Sequence, residues 1–232
     1  VAGSNLCVGL VVLTGAASGH NMVTIAAEAA CRFILPNCPI KPAYFFVEGN
    51  LSGEKKASAL SFLSVRGKKV SAEVVLPAPL LARVLKSTPA AIVDYWRMSA
   101  MGGVLSGTIG VQGHYANGLA ALYIACGQDA ACVSESAVGV TRFELTGNGD
   151  LYAAVTLPNL IVGSVGGGTG LPSQQACLRL MGLAGPGKAR ALAEVCAGVA
   201  LAGELSIIGA LSAGDFTRAH QRLARGDRHE PH

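Results

Sequence analysis

No charged residue occurs between positions 98 and 128, nor between 151 and 178. Stretches that long without Asp, Glu, Lys or Arg belong either in a bilayer or inside a fold. The first is interrupted by Ser99, Gln112, His114 and Asn117, the second by Pro158, Asn159, a glycine run and Gln174–Gln175. A bilayer helix needs roughly 20 mostly apolar residues in succession. Both stretches are therefore read as buried core rich in small residues, and no membrane partner is expected. The mean hydropathy of +0.46 then reports core rather than span. A chain of 232 residues, 51% apolar and 14% charged, is globular and not disordered, collagen-like or coiled coil. Its length suits one domain, or one domain carrying a fragment of a second.

The net charge of +4 is small, and no basic patch is interleaved with aromatic residues, so nucleic acid is not expected as a partner. Seven cysteines lie among apolar neighbours without a C-x-x-C pair, as in a reducing, cytoplasmic compartment. They read as small buried hydrophobes. The five histidines show no ligand spacing, and no metal is expected. No leader of basic, apolar and small residues opens the chain, although Val1 is not Met.

Residues 5–13 form an apolar run that predicts a strand feeding a small-residue turn, and residues 23–33 predict a helix capped by Asn21 and broken by Pro36 to Pro42. Residues 44–47 read as a strand. Val70, Ala72, Val74 and Leu76 alternate as a half-buried strand does. Short helices are expected at 79–85 and at 89–96, the latter opened by Pro89. Residues 117–132 read as one helix, with Asp129 a turn beyond Cys126 and in need of a partner. Strands are expected at 139–145 and 151–157 around Gly147-Asn148-Gly149. Helices follow at 173–180 and 186–212, the second packed closely against backbone at Gly198, Gly203 and Gly209. The basic end from Asp215 reads as a mobile tail.

Six segments in order resemble the catalytic region of class I HMG-CoA reductases. They are Gly-His-Asn-Met at 19–22, Gly-Glu-Lys-Lys at 53–56 and Ile-Ala-Cys-Gly-Gln-Asp-Ala-Ala at 124–131. The others are Val-Gly-Gly-Gly-Thr at 165–169, Leu-Pro-Ser-Gln-Gln-Ala-Cys-Leu at 171–178 and Ala-Gly-Glu-Leu-Ser at 202–206. The resemblance implies an α+β fold: a large-domain-like catalytic region over residues 49–214, a remnant of the small, ferredoxin-like, cofactor-type domain over 1–48, and the tail 215–232. It also implies a homodimer with the site at the subunit boundary. The family reduces a thioester to an alcohol with two hydrides from NADPH, and each step develops an oxyanion. By resemblance Lys55 supports that oxyanion, Asp129 holds the lysine charged, and His220 protonates the leaving thiolate. Lys56 would contact the acid end of the substrate. Asn50, Arg97 and Asn117 fall at substrate-side positions, and Asn21, Met22, Gly166, Gly167, Gly168 and Thr169 at cofactor-side positions. Taken singly, Lys55 is also a solvated charge, Asp129 a helix residue in an ion pair, and the glycine run a packing turn.

The departures point away from the family's reaction. The glutamate segment of the family is missing, Ala16 replaces an aspartate, and Ser4 and apolar residues replace arginines that would hold the NADPH 2′-phosphate. Glu54 replaces the aspartate before the lysine, and Arg97-Met98-Ser99 replaces a segment with a substrate lysine. Glu48 stands where the family has a serine facing the substrate carboxylate. Two like charges at ~4 Å repel by about 4 kcal/mol at an effective dielectric near 20. The preferred reading is therefore a repurposed acid–base enzyme, of cyclase, isomerase or addition type, in which Lys55, Asp129 and Glu48 or Glu54 act on another carbonyl-containing small molecule with no cofactor. Two alternatives stand beside it: an NADPH-dependent HMG-CoA reductase, divergent or completed by a second chain, and a non-catalytic partner or scaffold.

Overall fold

The computed structural model describes residues 5–214. A four-stranded sheet in the order β1-β4-β3-β2 forms its centre. β1 (Lys68–Leu76) and β3 (Gly139–Leu145) flank β4 (Leu151–Leu160) in antiparallel ladders, and the two-residue β2 (Gly110–Val111) runs parallel to β3. The β3–β4 hairpin closes through Gly149 at φ 82°, with the Thr146 N–H donating to Asp150 O at 2.9 Å. A glycine supplies the positive φ that such a tight turn needs.

The alternation read from the sequence holds in β1. Val70, Ala72, Val74 and Leu76 pack toward the core, while Ser71 and Glu73 face outward and bond Thr156 and Tyr152 on the solvated face. The longest helix, α8 (Ala189–Ser212), covers β1 and β4, and α4 (Pro89–Ser106) covers β3. Sealed between them and α5 (Tyr115–Ala125) are Tyr115, Tyr123, Phe143, Leu151, Val155, Leu192 and Cys196. Each large side chain fully buried there stabilises the fold by about 1.5–3 kcal/mol. α8 is long and apolar enough to cross a membrane, yet it spends that apolarity on Leu192, Cys196, Ala200 and Ile208 in the core.

Several expectations need correction. Residues 6–13 form no strand, and neither do residues 44–47. An apolar run identifies a strand only where a neighbouring strand can complete its ladder. α1 (His20–Asn37) begins at a left-handed Gly19 rather than an Asn21 cap, and continues through Pro36. α4 extends ten residues past the expected end at 96, carrying Gly102 and Gly103 inside it, with Thr88 Oγ1 capping the Ala91 N–H at 3.2 Å. α5 stops at Ala125, and Asp129 instead caps a 3-10 turn, Ala130–Cys132. In α8, Gly203 and Gly209 lie against the side chains of His114 and Leu85 rather than backbone, and Gly198 faces open space.

Candidate active site

The loop after Glu48 carries Lys55 into a left-handed conformation, φ 57°, that a non-glycine residue adopts only when held. Glu135 does the holding. From α6 (Val133–Ser136) its Oε1 accepts the Lys55 backbone N–H at 2.9 Å. The same carboxylate, 1% exposed as a residue, takes two N–H groups of Arg66 and the Asn159 Nδ2–H at 3.1 Å. Asn159 Oδ1 in turn accepts the Arg66 and Gly67 amides at 3.2 and 2.7 Å. Every acceptor position of a buried carboxylate is thereby used, which is the condition for burying it.

With its backbone fixed, Lys55 extends Nζ to 3.0 Å from Asp129 Oδ2. Asp129 lies after Gly127, whose φ is 65° and whose absent Cβ would otherwise stand 2.3 Å from Gly168 O. Only glycine permits that crossing of the two loops. Gln128 fastens the same turn to the end of β4, accepting from Gly163 N at 2.8 Å and donating to Gly163 O at 2.9 Å. The pair it presents is half open, with the Lys55 and Asp129 side chains 39% and 33% exposed.

The hydrogen bond from Lys55 to Asp129 raises the lysine pKa above its ordinary value. Partial burial opposes the Asp129 charge, but the bonds from Lys55 and from the Ala131 amide outweigh it and hold the carboxyl below the usual range. The result is an ammonium fixed in its charged state at a solvent-accessible position, suited to stabilise negative charge on a carbonyl oxygen.

His20 completes the cluster from the first residue of α1. Its Nε2 lies 3.4 Å from Cys132 Sγ, 3.4 Å from Arg66 Nη2 and 4.0 Å from Glu54 Oε1. Burial and then Arg66 lower its pKa, so the ring is neutral at neutral pH. Burial, followed by Asp129 and Glu135, pushes the Cys132 thiol up to about 12.

The glycine run lies alongside. Ala17 pairs with Val165 in a parallel bridge, the Ser164 N–H donates to Ala16 O at 2.9 Å, and a Cβ on Gly163 would stand 2.5 Å from Ser18 N. Gly166 and Gly167 adopt positive φ, and the buried Thr169 returns Oγ1 to Gly166 O at 2.7 Å. Asn21 and Met22 are exposed at the nearby start of α1. Ala16 contributes its backbone carbonyl to this contact.

Other expected residues stand apart from the ion pair. Lys56 Nζ turns back to Glu54 O at 3.0 Å, and Glu48 accepts the amide of the left-handed Asn50 while exposed. Asn117 Nδ2 is 3.3 Å from His114 Nε2. Arg97 is exposed on α4, and among the described residues no hydrogen bond or ion pair joins it or Asn117 to Lys55 or Asp129. His220 lies outside the described residues. Four groups escaped the sequence reading: His20, Arg66, Glu135 and Asn159. Glu135 was detectable, because it is the one charge between Asp129 and Arg142 and a lone carboxylate in an apolar run demands partners.

A charged lysine held by a carboxylate thus lies beside a turn built of glycines. The family model for hydroxymethylglutaryl-coenzyme A reductase matches residues 1–225, and the chain belongs to that family. It is 42% identical over 232 residues to the 3-hydroxy-3-methylglutaryl-coenzyme A reductase of Pyrococcus horikoshii, covering 97% of this chain and 56% of that protein. Against the protein of the same name from Methanothermobacter thermautotrophicus the identity is 42%, with 97% and 56% covered. For that of Aeropyrum pernix it is 44%, with 92% and 52% covered. The chain thus spans about half the length of these relatives. The expectation that no cofactor is used is overturned, because relatives this similar are named reductases and a reductase needs a hydride source. The cyclase and isomerase readings lose their support for the same reason.

Proposed function

We propose that this chain carries the lysine–carboxylate part of an active site that reduces 3-hydroxy-3-methylglutaryl-CoA with NADPH. One observation carries the reading: Lys55 Nζ and Asp129 Oδ2 meet at 3.0 Å, from segments 74 positions apart, in a family whose named relatives are reductases of this thioester. Lys55 is the catalytic residue, donating to the thioester oxygen as negative charge develops there. Asp129 is a positioning residue that keeps the ammonium protonated and aimed. Glu135 and Gln128 fix the two backbones that bear them.

The cradle beside the pair has the features of a dinucleotide site. The first amides of α1, at His20, Asn21 and Met22, have no capping side chain, and the turn 166–168 is all glycine. Free helix amides and close backbone approach suit a pyrophosphate. These residues with Thr169 would hold NADPH, which supplies hydride when bound. Lys56 and Asn50 are assigned to the acid end of the substrate, and Arg97 and Asn117 to its outer contacts. His220 is assigned the proton for the leaving thiolate.

The fragment layout belongs to the same reading: residues 1–48 as small-domain remnant, 49–214 as catalytic region, and a homodimer. Large exposed apolar side chains on α4, Met98, Met101, Val104 and Leu105, support a subunit contact. The test is NADPH consumption by the full-length protein with HMG-CoA, followed at the nicotinamide absorbance band. Turnover that Lys55→Ala abolishes supports the proposal, and NADPH left unconsumed at high protein concentration overturns it.

A further inference from the structure

His20 stands where two parts of the candidate site touch. It is the first residue of α1, on the turn whose amides are assigned to the pyrophosphate, and its ring reaches Arg66. Two N–H groups of that guanidinium are fixed on Glu135, the carboxylate that also accepts the Lys55 backbone N–H at 2.9 Å. An unbroken series of polar contacts therefore runs from α1 through His20, Arg66 and Glu135 to the backbone that aims the ammonium. Resting on the reductase reading, we infer that His20 is a positioning residue, and that its uncharged ring transmits occupancy of the dinucleotide cradle to Lys55.

The contacts fix the form of the ring. A guanidinium carries N–H donors and no acceptor. His20 Nε2, 3.4 Å from Arg66 Nη2, is therefore the accepting nitrogen, and the proton of the neutral ring sits on Nδ1. The Cys132 thiol faces the same lone pair at 3.4 Å, and burial keeps that thiol protonated. The His20 side chain is only 16% exposed, so water does not readily replace it between α1 and Arg66.

Protonation would break this link in two ways. An imidazolium has no lone pair to offer Arg66, and it sets a second cation against a guanidinium that Glu135 retains. Burial and then Arg66 oppose the charged ring, Glu54 and Asp129 favour it, and Lys55 opposes it. Both carboxylates are shared: Asp129 is paired with Lys55, and Glu54 Oε1 lies 4.0 Å from His20 Nε2 but also 3.9 Å from Arg66. The balance holds the ring below its ordinary value of 6.5. The link is therefore intact above 6.5 and is lost as pH falls through the lowered value.

The test is hydrogen exchange at the Lys55 amide, followed by NMR in the full-length protein with and without NADP+, the acid-stable form of the cofactor. Bound NADP+ should slow that exchange about tenfold near pH 8, the usual size of coupling between two sites. In the parent this protection should fade below 6.5. His20→Gln places a neutral acceptor near the position of Nε2 and should keep the protection down to about pH 5. His20→Ala should bind NADP+ yet show no protection at either pH, while Glu28→Gln, which alters an exposed pair on α1, should behave as the parent. Thermal unfolding midpoints taken alongside establish that each variant is folded, and the parent and His20→Gln profiles carry the test if His20→Ala is not. Parent-like protection in folded His20→Ala, or a His20→Gln profile that fades with pH as the parent's does, overturns the inference. A parent that binds NADP+ with no change at the Lys55 amide overturns it too, and leaves the reductase reading standing. Failure of the parent to bind NADP+ overturns both.

Discussion

Glu135 Oε1 accepts the backbone N–H of Lys55 at 2.9 Å across 80 residues of sequence, while the same carboxylate neutralises Arg66. One buried side chain therefore sets both the position of the ammonium-bearing backbone and the local charge. Removing it in Glu135→Ala leaves Arg66 partly buried without its partner and the Lys55 amide without its acceptor. Breaking a buried pair in this way costs about 3–5 kcal/mol. Urea unfolding should register that loss. The double variant Arg66→Met/Glu135→Leu should regain part of the stability but none of the turnover, because Lys55 remains unanchored. Full recovery of turnover would show that Glu135 serves stability alone.

The Lys55–Asp129 pair behaves differently. Both side chains are over a third or close to a third exposed, so the pair contributes under about 1 kcal/mol to folding. Lys55→Ala and Asp129→Asn should leave the unfolding midpoint nearly unchanged. Losing a donor aimed at a developing oxyanion costs about 10²–10³ in kcat. Steady-state kinetics separates the two effects. Turnover within a few-fold of the parent in Lys55→Ala would remove the lysine from the chemistry.

The ladder of β3 and β4 was legible because alternation and the Gly147-Asn148-Gly149 turn are local signals, and Val70 to Leu76 followed the same period. Lys55 and Asp129 were legible only through resemblance, since no local rule pairs residues 74 positions apart. Residues 5–13 misled because apolar content does not supply a partner strand. Asp129 was assigned to a helix because nothing in its apolar spacing shows that Gly127 must turn under Gly168. His20 carried no signal at all: its role arises from where the Gly19 turn docks on the end of β4.

That docking is tight enough to test. A methyl group at Gly163 would meet Ser18 N at 2.5 Å and Ala16 O at 3.1 Å, both backbone atoms that cannot rotate away. Gly163→Ala should destabilise by about 1–3 kcal/mol, as overpacking does. It should also displace the 16–20 turn and weaken NADPH binding, read from nicotinamide fluorescence. Ala17→Ser, whose small side chain alters no backbone contact, is the control. NADPH affinity unaffected in folded Gly163→Ala would separate this turn from the cofactor.

Lys68 links stability to alkaline pH. Burial, and then Arg190, lower its pKa below 10.5, and its Nζ donates to Val162 O at 2.8 Å. Between the folded and unfolded values the unfolded chain binds more protons, so stability rises with pH there. Its contribution is complete above 10.5 and falls away as pH drops through the lowered folded value. The difference in unfolding free energy between the parent and Lys68→Met should therefore grow in the parent's favour as pH climbs toward that limit. A pH-independent difference would mean that Lys68 titrates alike in both states.

Glu48 decides how far the departures from the family pattern reach. A carboxylate facing the substrate's own carboxylate in a closed pocket would repel it by about 4 kcal/mol at an effective dielectric near 20. Glu48 is instead exposed, and its Oε1 accepts the Asn50 amide. In water the same separation of ~4 Å gives about 1 kcal/mol. Glu48→Ser should consequently lower the KM for HMG-CoA by no more than about fivefold, with kcat unchanged, and the gain should shrink as salt screens the charge. A hundredfold gain, insensitive to salt, would place Glu48 in a low-dielectric pocket against the substrate. It would also restore the case that this surface has been rebuilt to refuse an anionic ligand.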